Sequence, residues 1–391
     1  MAEIKKSRLK IADPRLKTSG KKVIKKVVAK KKTTKKIPKK KVIRRVAKKV
    51  IKKKSVLLKR SPENPIIEPR PYSWESKATL NPAAIIADGK IHLIYRAIGD
   101  SDSSVLGYAG SLNGYDFNDR LPYAIYQKHN NNFSKEKVIS PIAYTSGGGW
   151  NGGCEDPRLT VLGDTVYMLY TAFDGWGSLR IALTSISLSD FENKKWNWEK
   201  PVLISPLGEI HKNWVLFPEK INGKFAILHS FYPHIRIDYF DTLEELDGKH
   251  FIHSDNTRPI DKNRTWDSWF RGVGPTPIKT DLGWLILYHA MDHRNPDRYR
   301  MGALILDSRE PTKVLYRTDH PILEPQKDYE NNGYKWGVVY SCGAVVKDGT
   351  LFVYYGGADK VIGVATIKLE TLLDDLKKHK VTQLNKQSIK I

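Results

Sequence analysis

Asp156 and Arg158 flank Pro157 in the run Gly147-Gly-Gly-Trp-Asn-Gly-Gly-Cys-Glu-Asp-Pro-Arg-Leu-Thr160. Glycine lets a backbone turn sharply and come close to a ligand, and Pro157 biases Asp156 towards an extended conformation. Side chains alternate along an extended segment. Asp156 and Arg158 are therefore expected on one face, with Glu155 on the other as a structural residue. A carboxyl beside a guanidinium at the mouth of a strand could donate a proton to a leaving group, or it could simply pin a loop. The first kind of chemistry needs partners from elsewhere in the chain.

A repeat supplies them. A polar or proline residue, a short apolar run, a glycine-containing turn and a second apolar run recur at 82–96, 157–171, 218–229, 277–289 and 344–355. Asp-Gly, Gly-Asp and Asn-Gly between β-branched and aromatic runs mark hairpins. Tyr95, Tyr170, Leu228, Tyr288 and Tyr354 take equivalent places, at steps of 75, 58, 60 and 66 residues. Each step has room for four strands and their loops, the content of one propeller blade. The expected fold is all-β, a five-bladed β-propeller, since a sandwich would not explain five near-equal intervals. The second runs end in Arg96, Thr171, His229 and His289, with Asp359 just past Tyr355. In a propeller such ends converge on one mouth of the channel. Residues 370–379 have helical spacing and are expected to cap the outside.

Within this frame Gly152-Gly-Cys-Glu-Asp-Pro-Arg158 resembles the defining motif of glycoside hydrolase family 130, the β-mannoside phosphorylases and related β-1,2-mannosidases. The likeness runs from about Pro65 to Thr366. It independently implies a five-bladed propeller and an inverting enzyme that cleaves β-mannoside oligosaccharides, foremost by phosphorolysis to mannose 1-phosphate. It implies that Asp156 is the proton donor, acting through a hydroxyl of the mannose. It also implies substrate contacts at Arg96, Arg158, Asn213 and Asp359, and phosphate contacts at Lys212, Arg271 and His289. No cofactor or metal is implied beyond inorganic phosphate as co-substrate. Trp150, Trp176, Trp266 and Trp269 could offer aromatic faces to a sugar or serve as core.

One residue departs from the phosphorylase pattern. Ser230 stands where an arginine usually follows the histidine of the third repeat, and loss of a bidentate phosphate clamp is not conservative. Hydrolysis therefore stays open, with Glu209, Glu219 or Asp267 as the carboxylate that activates water. A non-catalytic sugar-binding propeller would leave the Glu-Asp-Pro-Arg motif unexplained. A zinc site at His289, Asp292 and His293 would need a helix, and their run follows a strand.

Charge divides the chain in two. Of 66 Lys+Arg and 42 Asp+Glu, residues 1–60 hold 27 basic groups and only Glu3 and Asp13, which leaves 39 against 40 beyond them. The net +24 thus belongs to a lysine-rich stretch, expected to be a disordered tail ahead of a near-neutral domain at 61–391. Such a tail would bind nucleic acid or an anionic surface weakly and with strong salt dependence. No apolar run is long enough for a membrane span. Cys154 and Cys342 are far apart and imply no disulfide framework, so a cytoplasmic setting is the default expectation.

Overall fold

The computed structural model describes residues 58–127, 151–175, 178–254 and 259–381. Most of the basic tail, Trp150 and Trp176 lie outside the described residues, as does the expectation for the tail's partners. The described chain is mostly β. Its strands form five antiparallel units, the first two joined by one parallel pair, Ser104 with Gly153.

The first unit is Ala78–Ala87, Lys90–Ile98, Ser104–Ser111 and Asp119–Arg120. The second is Gly153–Leu162, Thr165–Phe173, Leu179–Ser187 and Val202–Leu203. Val215–Leu216, Phe225–Ser230 and Arg236–Phe240 make the third. The fourth centres on Trp269–Val273, Gly283–Asp292, Asn295–Leu306 and Val314–Arg317. Val339–Lys347, Thr350–Gly357 and Val361–Lys368 make the fifth. The five residues equated from sequence all fall on the second strand of their unit, and all are buried. The hairpin turns follow their chemistry. Asp88-Gly89, Asn222-Gly223 and Asp348-Gly349 hold both residues at positive φ, between 45° and 83°, as tight primed turns require.

A buried polar triad recurs in three units. The Tyr95 hydroxyl donates to Glu75 at 2.9 Å, and Arg120 on the fourth strand reaches the same carboxylate at 2.5 Å. Tyr288, Asp267 and Arg317 repeat this in the fourth unit, at 2.8 and 2.7 Å. In the fifth, Tyr355 and Glu330 are 2.8 Å apart and the arginine is Arg60, at 2.6 Å. Arg60 belongs to Lys59–Arg60, which pairs with Val361–Lys368 as that unit's fourth strand. Leu58 is buried beside it. Residues 58–60 are thus part of the fold rather than of the tail. Within each triad the ion pair offsets the desolvation of both groups, so losing one partner costs more than the pair contributes.

Leu369–Leu376 is the expected C-terminal helix, burying Leu372 and Leu376. Among the described residues no helix is long and apolar enough to cross a membrane.

Candidate active site

The strand Gly153–Leu162 does not alternate through the motif. Glu155 pairs with Thr171 and Arg158 with Leu169, so Asp156 and Pro157 together oppose Tyr170. Asp156 takes φ 53°, a left-handed angle, and the bulge re-aims the side chains on either side of it. Glu155 therefore does not turn to the opposite face. Its Oε1 accepts from Arg96 Nη2 at 2.8 Å, while Arg96 Nη1 lies 3.5 Å from Asp156 Oδ1. Lys212 Nζ donates to Glu155 Oε2 at 3.2 Å. Both carboxyls thus share one centre, and the expectation that Glu155 faces away from Asp156 is corrected.

The first unit carries the same bulge. Leu80 pairs with Arg96 and Ala83 with Ile94, so Asn81-Pro82 opposes Tyr95 alone. Asn81 sits at φ 48° and its Nδ2 donates to Asp156 Oδ1 at 2.8 Å. The buried Oδ1 of Asn81 has no hydrogen-bond partner among the described residues. Asn81 is a site residue that the motif did not reveal.

Residues far apart in the sequence meet here. Burial works against the Arg96 charge, but Glu155, Asp156 and Asp359 hold its pKa above the usual arginine value. Burial pushes the Glu155 carboxyl up to about 8 against the pull of Arg96, with Asp156 and Asp359 adding repulsion. It raises Asp359 too, against Lys335 and Arg96. A cluster of buried carboxyls around one guanidinium suits proton transfer.

Arg158 faces the packing instead. It donates to the Gly274 carbonyl at 3.2 Å, the Asp156 carbonyl at 2.7 Å, Asn213 Oδ1 at 3.0 Å and the Tyr340 hydroxyl at 3.0 Å. Asn213 also donates to the Arg271 carbonyl at 3.0 Å. These two residues, expected as substrate contacts, tie the second, third, fourth and fifth units together.

Arg271 lies 4.5 Å over the Trp269 ring and 5.9 Å from the Tyr299 ring. Its buried Nε has no hydrogen-bond partner among the described residues. Lys335 Nζ lies 5.5 Å from the same Tyr299 ring, a cation that no sequence signal marked. His289 is wholly buried and stacks on Tyr340 at 4.2 Å and 11°. The backbone N–H of Ser341 donates to His289 Nε2 at 2.9 Å, so a neutral ring carries its proton on Nδ1. Burial, with the Arg158 charge behind it, brings the imidazole down to about 3. His289 Nδ1 has no hydrogen-bond partner among the described residues.

The other sequence candidates fall outside this centre. Asp267 is spent in its triad. Glu219 pairs with Lys279 at 3.1 Å on the exterior, and Glu209 lies 2.8 Å from His211. Trp266 packs in the core against Tyr288. Asp292 pairs with Arg294 at 2.8 Å and His293 with Ser268 at 2.8 Å, each apart from His289. Arg236 stands across the strands from Ser230, so a guanidinium is present on the neighbouring strand. Asp319, His320 and His379 have ligand atoms within 4.8 Å of one another, but these groups pair among themselves beside the C-terminal helix.

An all-β fold whose units bring buried carboxyls, an arginine and a lysine to one centre holds the groups that glycoside cleavage needs. The chain belongs to glycoside hydrolase family 130, with residues 33–378 matching the family described as beta-1,4-mannooligosaccharide phosphorylase. It is 39% identical over 321 residues to a 1,2-beta-oligomannan phosphorylase of Thermoanaerobacter sp. strain X514, covering 81% of this chain and 99% of that protein. It is 37% identical over 316 residues to a beta-1,2-mannobiose phosphorylase of the same strain, covering 80% and 98%. The solved beta-1,2-mannobiose phosphorylase of Listeria innocua, in complex with beta-1,2-mannobiose, is similar at TM-score 0.63 and 25% identity. That likeness covers 82% of this chain and 99% of that one.

Proposed function

We propose that the protein is an inverting phosphorylase of β-1,2-linked oligomannosides, and that its five units are the blades of a propeller with the site at one mouth. The observation that carries this reading is the buried acid centre of Glu155 and Asp156, bonded to Arg96 and Lys212. Asp156 is held by Asn81 and Arg96, Lys212 donates to Glu155 beside it, and the half-buried Arg271 has an Nε with no hydrogen-bond partner among the described residues. Asp156 passes a proton through a mannose hydroxyl to the glycosidic oxygen as the C1–O bond breaks. A phosphate oxygen, oriented by Arg271 and Lys212, forms the new bond to C1 from the opposite face. The product is α-mannose 1-phosphate. Arg96 and Asp359 contact the sugar, while Arg158, Asn213 and His289 hold those groups in place. Both relatives above are named for the β-1,2 linkage, which favours it over the β-1,4 linkage of the family's description.

Hydrolysis is the second reading, favoured by Ser230. It needs a carboxylate to activate water; Glu219 and Asp267 are committed to Lys279 and to Arg317, which leaves Glu209, beside His211, as its candidate. Incubating the protein with β-1,2-mannobiose, with and without phosphate, separates the two readings. Turnover that requires phosphate supports phosphorolysis, and equal release of mannose without phosphate sinks it.

A further inference from the structure

The segment between the short helix Asp328–Asn331 and the strand Val339–Lys347 carries two large side chains in water, Tyr334 at 49% and Trp336 at 54% exposure. Large aromatic faces are seldom left this open without a use. With Asn331, Asn332, Gly333 and Lys360 they line a depression of about 600 Å³. The lining is aromatic faces, amides and one ammonium. That mixture suits a sugar, whose C–H faces stack on rings while its hydroxyls take hydrogen bonds.

The platform is held firmly and sits beside the site. The N–H of Tyr299 donates to the Gly337 carbonyl at 2.8 Å and that of Lys335 to the Ala358 carbonyl at 3.1 Å. A Cβ at Gly333 would lie 2.2 Å from the Ala358 carbonyl oxygen, so the segment lies directly on the turn that presents Asp359. The Arg298 guanidinium is 5.9 Å from the Trp336 ring. Lys335, between the two aromatics, approaches Tyr299 and lowers the cost of charge on Asp359. The segment thus packs on the turn that carries Asp359, with Tyr334 and Trp336 exposed on it.

We propose that Tyr334 and Trp336 form a sugar-binding platform that holds mannose units of the substrate beyond the two at the scissile bond. This rests on the mannoside reading above and adds a preference for longer chains. One aromatic–sugar stack is worth about one power of ten in affinity, by analogy with aromatic pairs at ~0.5–1.5 kcal/mol.

The test compares β-1,2-mannobiose with β-1,2-mannotetraose at saturating phosphate, for wild type, Trp336→Ala, Tyr334→Ala and Trp336→Phe. The ratio of kcat/KM, tetraose over biose, should fall roughly tenfold in Trp336→Ala, through KM. Mannobiose kinetics should stay within about two-fold, and Trp336→Phe should restore most of the ratio. An unchanged ratio, or equal loss on both substrates, overturns the platform. Calorimetric titration with mannotetraose needs no turnover and keeps the question open to test if the enzyme reading itself fails. Binding weakened in Trp336→Ala supports the platform. Equal binding in both proteins, no binding in either, or a change only in self-association overturns it.

Discussion

Lys212 donates to Oε2 of the Glu155 carboxyl across 3.2 Å, so the residue beside the acid positions a cation assigned to phosphate. Glu155→Gln keeps the shape and an acceptor for Arg96 but turns an amide NH2 towards Lys212 in place of the accepting oxygen. The KM for phosphate should rise roughly tenfold, the size of one charge-assisted hydrogen bond, while the KM for mannobiose moves far less. Steady-state kinetics with each substrate varied in turn provide the check. Loss of thermal stability with both KM values unchanged would return Glu155 to a structural role.

Asp156→Asn removes the proton and retains the size. Turnover should fall by about 10²–10⁴-fold, with a circular dichroism spectrum like that of wild type. A variant with near-normal turnover would leave Asp156 as a bulge residue only.

The imidazole of His289 has a pKa of about 3 in the folded protein, against roughly 6.5 in the unfolded chain. Between those values the unfolded state binds more protons. This contribution to stability is therefore complete above about pH 6.5 and is lost as the pH falls towards 3. Melting temperatures from pH 7 to pH 4 should fall more steeply for wild type than for His289→Asn, whatever the offset between them. Parallel curves would show that the ring does not titrate on unfolding.

Arg60 completes the fifth-unit triad with Glu330 and Tyr355. Arg60→Ala leaves a buried carboxylate without its cation and should cost about 3–5 kcal/mol in denaturant unfolding. A chain beginning at Val56 retains Leu58 and Arg60 and should keep its turnover on mannobiose within about two-fold, since a neutral sugar gains little from added net charge. One beginning at Ser61 should be destabilised as Arg60→Ala is. Equal stability of the two truncations would detach Arg60 from the fold.

The units and their turns were legible because hairpin chemistry is local. Asp-Gly and Asn-Gly need φ above zero, and the equated tyrosines each sit mid-strand between such turns. The site was legible only in part. Simple alternation put Glu155 on the wrong face because it does not anticipate a bulge, and one extra residue reverses every direction after it. The signal was present in pairs: Asn81-Pro82 and Asp156-Pro157 open the first two repeats, and each is the bulge of its unit. Asp267 was one of three acids that nothing in the sequence ranked, and only the parallel triads of Glu75 and Glu330 show it in a structural place. Lys335 had no motif at all, and only the packing of its segment on Ala358 brings it to the site.

The account stands or falls on the fate of C1. Phosphorus NMR of the purified protein with β-1,2-mannobiose and inorganic phosphate should show one equivalent of α-mannose 1-phosphate for each mannose released, and no cleavage when phosphate is left out. Free mannose as the sole product, formed at the same rate without phosphate, would contradict it.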